Sequence, residues 1–70
     1  METYKITVWY DDDRAWRYVE FEMDFASQEN MRHYVERIGQ VGAWGSNEDG
    51  SVYLIAPPVI RTINVEVLDV

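Results

Sequence analysis

Two segments near the start of the chain alternate between apolar and polar residues, and an acidic run separates them. Residues 3–10 and 15–23 are rich in β-branched and aromatic side chains, and residues 11–14 read Asp-Asp-Asp-Arg. Alternation of this kind is typical of β-strands that bury one face, and short runs of aspartate favour turns. The first third of the chain therefore predicts an antiparallel β-hairpin, which limits the fold to one that contains a sheet.

The residue types on the two strands predict how they pair. If the hairpin closes across Asp12-Asp13, Trp9 faces Trp16, and the other opposed residues also match in character. A shift by one residue would exchange the two faces and lose this match. The predicted inner face carries Tyr4, Ile6, Val8, Val19, Phe21 and Met23, and the predicted outer face carries Lys5, Thr7, Trp9, Trp16, Tyr18, Glu20 and Glu22.

Residues 27–39 have the apolar spacing of an α-helix. Ser27 is of a type that caps helix N-termini, and Glu29 places a negative charge in the first turn, where the helix dipole favours it. Gly39 or Gly42 marks the C-terminal end, because glycine readily adopts the conformation that ends a helix. A single apolar stripe would pack on the sheet through Met31, Tyr34, Val35 and Ile38.

The second half of the chain predicts two or three further strands. Residues 43–46 favour a short strand, with a loop as the alternative, and residues 47–50 form a turn that ends in Asp-Gly. Residues 51–56 are apolar on both faces, which predicts a central strand, and the two prolines that follow cannot donate to a ladder. The last strand, residues 60–68, alternates again, and its inward side chains are Ile63, Val65 and Val67.

The predicted order of elements is ββαβββ, or ββαββ if residues 43–46 form a loop. No segment of the 70 residues resembles a linker, so residues 1–70 predict a single α+β domain. The expected architecture is an antiparallel β-sheet of four or five strands with one α-helix packed on one face. Because one helix covers one face only, the opposite face of the sheet is expected to remain open.

The charge balance excludes several classes of partner. Thirteen acidic residues against six basic ones give a net charge of −7, and the basic residues are scattered. Direct nucleic-acid binding needs clustered lysine and arginine, so we expect none. No run approaches the roughly 20 apolar residues of a membrane span, and no secretory signal is visible, so we expect no membrane association. Because the chain has no cysteine, we expect a cytoplasmic location.

The motifs of common enzyme and cofactor sites are absent from the sequence. His33 is the one histidine and has no evident partner for general base catalysis, and no serine lies in a nucleophile-elbow motif. The four glycines do not form a phosphate-binding pattern, and the run Asp11–Asp13 lacks the spacing of a calcium loop. We therefore expect a protein that is not an enzyme and that binds no cofactor and no metal.

The outer face of the predicted hairpin is the candidate functional site. Exposed aromatic patches with charged neighbours often mark protein-binding sites. The alternative interpretation is that Trp9 and Trp16 form a cross-strand pair that only stabilises the sheet. A second copy of the chain is a further candidate occupant of this face. The residues expected to bind the partner are Lys5, Trp9, Trp16, Tyr18, Glu20 and Glu22.

The acidic residues of the predicted outer face and turns have two interpretations. Regularly spaced carboxylates can imitate a phosphate backbone and occupy the basic channel of a protein that acts on nucleic acid. The simpler interpretation is that a net charge of −7 keeps a small domain soluble. The sequence alone favours the simpler one, because this charge is common among acidic domains.

The segment from Asp49 to Ile63 combines a D-G turn, an apolar strand, Pro57-Pro58 and a final I-x-x-I strand. In these features it resembles the ends of small phage and bacterial proteins. The resemblance covers about a fifth of the chain and includes no catalytic residue. It implies an origin in a phage or mobile element, whose short acidic proteins commonly bind host machinery.

These observations lead to one hypothesis and two alternatives. The hypothesis is a small acidic, non-enzymatic protein-binding module that binds a host protein, with inhibition of a basic nucleic-acid-directed enzyme as one case. The first alternative is a structural homodimer joined through the open sheet face or an edge strand. The second is a binder of a small ligand or metal that uses His33 or the acidic run Asp11–Asp13.

Overall fold

A computed structural model describes residues 1–68 and contains five strands, one α-helix and a short 3-10 helix. The order of elements is ββαβββ, so the predicted α+β class is confirmed, and residues 43–46 form a strand. Among the helices of residues 1–68, none has both the length and the hydropathy that a membrane span requires. The elements are β1 (Glu2–Asp12), β2 (Ala15–Phe25), α1 (Gln28–Val41), β3 (Ala43–Ser46), β4 (Val52–Ile55), the 3-10 helix (Pro57–Val59) and β5 (Ile60–Val67).

The five strands divide between two antiparallel sheets and do not form the single sheet of four or five strands that the sequence predicts. One sheet has three strands in the order β2-β1-β5, and the other is the two-stranded β3-β4 hairpin. Residues Pro57–Val59 form a helical turn after β4, and β5 then pairs with β1 instead of with β4. β4 consequently pairs with β3 alone, so its predicted central position is wrong.

The hairpin of β1 and β2 closes one residue later than the sequence predicts. Its turn is Asp13-Arg14, and Asp13 has a φ of 59°, a left-handed conformation that aspartate tolerates better than most residues. Moving the turn by one residue changes every cross-strand pairing by two. Trp9 therefore faces Tyr18 and not Trp16, so the predicted register is wrong by two residues. Because the shift is by an even number, each side chain keeps its predicted face.

The helix and the β3-β4 hairpin pack on the same face of the three-stranded sheet. Ile6 and Val8, in the central strand, are fully buried there. They form the core together with Ile38 from the helix and with Ala43 and Ile55 from the small hairpin. The predicted inner face of the sheet is confirmed, and burial of its apolar side chains is the main favourable contribution to folding.

Both ends of the helix are defined by residues that the sequence indicates. The Ser27 hydroxyl accepts a hydrogen bond from the backbone N–H of Asn30 at 3.1 Å, which caps the N-terminus. Gly42 ends the helix with a φ of 94° and donates its N–H to the carbonyl of Ile38 at 2.8 Å, whereas Gly39 lies inside the helix. The predicted apolar stripe is buried or partly buried through Met31, Tyr34, Val35 and Ile38.

Aromatic rings fill the space between the helix and β2. The ring centroid of Tyr34 lies 6.5 Å from that of Phe21 and 5.5 Å from that of Phe25. The helix accordingly contacts β2. Val65 and Val67 of β5 lie on the inner face, as predicted, but they remain exposed.

Candidate protein-binding surface

The outer face of the three-stranded sheet carries all six residues that the sequence predicts as a binding site. Alternate residues of a strand point to opposite faces, and the helix and the small hairpin pack on the inner one. Within residues 1–68, no element covers the opposite side. We call that side the outer face, and its residues are Thr3, Lys5, Thr7, Trp9, Asp11, Trp16, Tyr18, Glu20, Glu22, Asp24, Thr62, Asn64 and Glu66.

Three aromatic side chains form the apolar part of the outer face. Trp9 lies directly opposite Tyr18, with ring centroids 4.8 Å apart and ring planes tilted by 41°. Trp16 lies opposite Asp11, so the predicted pairing of the two indoles is wrong. Trp9 is half-buried, whereas Tyr18 is 53% exposed and Trp16 is 64% exposed. The Trp9–Tyr18 pair therefore stabilises the sheet, and Trp16 is accessible to another molecule.

Carboxylates line the β2 side of the outer face at regular intervals. Glu20, Glu22 and Asp24 occupy alternate positions of β2, so their Cα atoms follow one another at about 6.7 Å. The hydroxyl of Thr3 donates a hydrogen bond to Oδ1 of Asp24 at 2.5 Å, and all three acidic residues are exposed. This row presents negative charge directly beside the aromatic side chains.

Lys5 is the basic residue of the outer face, and it is engaged within the chain. Its Nζ lies 3.2 Å from Oε2 of Glu66 on β5. The hydrogen bond to Glu66, followed by the charges of Glu66, Glu20 and Glu22, raises the pKa of Lys5. Lys5 forms its ion pair with Glu66, and the three carboxylates of β2 outnumber this single lysine, so the β2 side of the outer face keeps a net negative charge.

The acidic run before the turn belongs mostly to a strand and not to the turn that the sequence predicts. Asp11 accepts a hydrogen bond from the guanidinium of Arg61 on β5, and this contact raises the pKa of Arg61. A carboxylate oxygen of Asp12 lies 2.8 Å from Nε of Arg17. Of the three aspartates, Asp13 alone lies in the turn. The first two aspartates thus hold arginines of neighbouring strands.

His33, the residue of the alternative ligand site, lies on the helix. No group of three or more histidine, aspartate or glutamate side chains within residues 1–68 is arranged to hold a metal ion. His33 lies on the exposed side of the helix, away from the outer face. The shallow groove around it is lined by Gln28, Glu29, Arg32, His33 and Glu36.

The β3-β4 hairpin carries a second exposed apolar surface, which the sequence does not single out as a site. Trp44 lies opposite Leu54 on one face of this hairpin, and Ser46 lies opposite Val52 on the same face. The sequence feature that points to this surface is that residues 51–56 are apolar on both faces. In the structure, one of these faces is buried through Ile55 and the other is exposed. We call this second surface the hairpin patch, and it consists of Val41, Trp44, Val52 and Leu54.

Comparison with known proteins gives no functional information. No family model matches the chain, and no curated protein and no solved structure matches it either. The outer face and the hairpin patch are therefore the observations from which a function can be inferred.

Proposed function

We propose that this protein is a non-enzymatic binding module whose outer face binds a positively charged surface of another protein. The observation that carries the proposal is an exposed aromatic group beside a regular row of carboxylates, on a sheet face that no element within residues 1–68 covers. Large exposed patches of this kind are uncommon on monomeric proteins unless they bind something.

The aromatic side chains provide the apolar contact area. Trp16 and Tyr18 are more than half exposed, and both are held on a strand with a fixed backbone. Tryptophan and tyrosine are enriched among the residues that dominate binding energy, because they bury a large area at a low cost in side-chain entropy. These two residues are therefore the expected anchors for the partner.

The charge of the outer face selects the chemical class of the partner. Glu20, Glu22 and Asp24 face solvent along β2, and the nearby Lys5 is hydrogen-bonded to Glu66. An acidic surface accelerates its encounter with a basic one and disfavours acidic partners. The partner is expected to present clustered lysine and arginine side chains, and its affinity is expected to fall as salt is added.

One kind of protein surface with clustered lysine and arginine side chains is a channel that binds nucleic acid. The carboxylate row is evenly spaced, as phosphates are along a nucleic-acid strand. By occupying such a channel, the protein would inhibit an enzyme that acts on nucleic acid. Inhibition of a host enzyme agrees with the phage or mobile-element origin that the tail of the sequence implies, and both remain predictions.

Affinity capture with matched variants tests the proposal. The immobilised protein is incubated with a lysate of the cells in which it is made, and the captured proteins are compared for wild type, Trp16→Ala and Glu22→Lys. Glu36→Lys is the control, because Glu36 is exposed on the helix and the charge change is the same. Wild type and Glu36→Lys are expected to capture the same basic protein, which the two outer-face variants bind at least about tenfold more weakly.

The purified captured protein then allows a quantitative check by titration calorimetry. Affinity is expected to fall between about 50 mM and about 300 mM salt, because screening weakens contacts between exposed charges. Equal capture by wild type, Trp16→Ala and Glu22→Lys would show that the outer face is not the binding site. An affinity that does not respond to salt would exclude a basic partner surface.

A further inference from the structure

The hairpin patch exposes more of its apolar side chains than the outer face does. Apart from Met1, the most exposed large hydrophobic side chains of residues 1–68 are Trp44 at 75%, Leu54 at 71% and Val52 at 67%. They share one face of the β3-β4 hairpin, and Val41 joins them because it lines one shallow pocket together with Trp44. Burying this surface is favourable, and the proposed function makes no use of it.

The hairpin is already anchored to the rest of the chain through its other face. Ala43 and Ile55 lie opposite each other on that face and are buried in the core. The ring of Tyr53 lies over Gly45, where a β-carbon would meet the phenol. The inner side chains of the hairpin therefore stabilise the fold by packing in the core. The hairpin patch lies on the opposite face and has no such role within residues 1–68.

We propose that the hairpin patch is a dimerisation surface and that its occupant is the hairpin patch of a second copy of this chain. The charge of the molecule supports this choice. Two copies that each carry a net charge of −7 repel each other wherever their carboxylates meet. The outer face carries such a row of carboxylates, whereas the side chains of the hairpin patch are uncharged. A second copy can therefore approach at the hairpin patch with the least repulsion.

The area of the patch is sufficient for a weak dimer. Its four exposed side chains offer on the order of 500 Å² of surface, which is comparable to the largest apolar patch of a typical monomeric protein, and such patches are often functional. Two such patches would bury on the order of 1,000 Å² in total, about the lower limit for a specific interface. The dimer is accordingly expected to dissociate on dilution to micromolar concentrations.

Charges at the two ends of the hairpin are complementary when two hairpins pack antiparallel. Arg37 lines the pocket at the base of the hairpin beside Val41 and Trp44, and none of the ion pairs within residues 1–68 includes it. Glu48 is exposed in the turn at the opposite end of the hairpin. A twofold axis brings Arg37 of each copy toward Glu48 of the other, so the arrangement places two opposite-charge contacts at the rim of the apolar surface.

Sedimentation equilibrium of the full chain tests the surface. Between about 1 μM and about 500 μM, the apparent mass of the wild-type protein is expected to rise from that of a monomer toward that of a dimer. Leu54→Lys is expected to remain a monomer throughout, because it places a charge at the centre of the patch. Trp16→Lys, which also replaces an exposed apolar residue by lysine but on the outer face, is expected to dimerise like wild type. Circular dichroism verifies that all variants are folded.

A charge-reversal cycle tests the antiparallel arrangement. Arg37→Glu and Glu48→Lys are each expected to weaken the dimer about tenfold, and the double variant is expected to recover most of the loss. A wild-type protein that stays monomeric at the highest concentration overturns the proposal and points to a different protein as the occupant of the patch. Loss of the dimer in Trp16→Lys with retention in Leu54→Lys also overturns it. Absence of recovery in the double variant overturns the antiparallel packing.

The proposal is independent of the function proposed for the outer face, and the variants separate the two. Leu54→Lys is expected to lose the dimer and still capture the basic partner on the immobilised protein. Glu22→Lys is expected to lose the partner and keep the dimer.

Discussion

The backbone carbonyl of Ile55 lies where a side chain on Gly42 would have to be. A β-carbon added to Gly42 would overlap this oxygen and would also press on the ring of Pro57 at 3.2 Å. The close approach joins the end of the helix to the end of β4. The missing side chain of Gly42 thus allows the small hairpin to pack beside the helix on the inner face of the large sheet.

The two glycines near the end of the helix are expected to respond in opposite ways to alanine. Gly42→Ala should lower the free energy of unfolding by about 2 kcal/mol or more, because Gly42 combines a φ of 94° with the contact to Ile55. Gly39→Ala should raise it by about 0.5–1 kcal/mol, because Gly39 lies inside the helix with open space around its Cα. Urea denaturation followed by circular dichroism measures both, and effects of the same sign would contradict the assigned helix end.

Ile6 is expected to be among the most sensitive positions of the core. Its side chain is fully buried in the central strand, so Ile6→Ala should lower the free energy of unfolding by about 3 kcal/mol and leave little folded protein. Ile6→Val, which removes a single methylene, should cost about 1 kcal/mol and remain folded. The far-UV spectra and urea midpoints of the two variants check this, and a stable Ile6→Ala variant would be inconsistent with the described core.

The two exposed aromatic residues of β2 are expected to differ in their effect on stability. Tyr18→Ala removes the ring that contacts Trp9 and should lower the free energy of unfolding by about 1 kcal/mol. Trp16→Ala should change it by less than about 0.5 kcal/mol, because Trp16 is largely exposed. Both substitutions should weaken partner binding. A large loss of stability in Trp16→Ala would mean that Trp16 is structural and would weaken its assignment as an anchor.

The turn of the small hairpin is expected to be sensitive to acid through Asp49. Oδ1 of Asp49 accepts hydrogen bonds from the backbone N–H of Ser51 at 2.9 Å and from the Ser51 hydroxyl at 2.6 Å, and these bonds lower the pKa of Asp49. A carboxyl group whose pKa is lowered by folding stabilises the protein above its unfolded pKa, and this stabilisation is lost as the pH falls through the lower, folded value.

Thermal unfolding of wild type and Asp49→Asn at several pH values isolates this contribution. Near neutral pH the wild type should have the higher Tm, because the asparagine amide has no charge to strengthen the same hydrogen bonds. The difference should shrink as the pH falls below about 4, where Asp49 of the unfolded chain becomes protonated, and it should be lost below the lower pKa of the folded protein. Other carboxylates titrate in both proteins, so the difference between them reports Asp49, and a difference that is constant with pH would rule out this role.

Local patterns in the sequence were sufficient to predict the helix and to assign the side chains of the large sheet to its two faces. The Ser27 cap and the helix stripe follow from residue type and spacing, and alternation places Ile6 and Val8 inside. Alternation does not predict the strand register, because a shift by two residues leaves every side chain on the same face. The turn that decides it, Asp13-Arg14, contains no glycine or asparagine to mark its position.

The division into two sheets depends on contacts between distant parts of the chain. A strand that is apolar on both faces, as residues 52–55 are, has the same local pattern whether it is central or lies in a two-stranded hairpin with one exposed face. The pairing of β5 with β1 distinguishes these cases, and it joins residues that are 50 to 63 positions apart in the sequence. For the same reason the sequence indicates the aromatic residues of the outer face but not the hairpin patch.

The division into two sheets places the outer face and the hairpin patch on separate elements, so occupation of one need not displace the occupant of the other. A pair of chains joined through their hairpins would carry two acidic aromatic surfaces on a single particle. Such a dimer would bind a target that has two basic sites within reach with a higher overall affinity than a single chain does. The second contact forms at a high effective concentration once the first is made. A dimer of two small chains would then stay bound to its target for a long time.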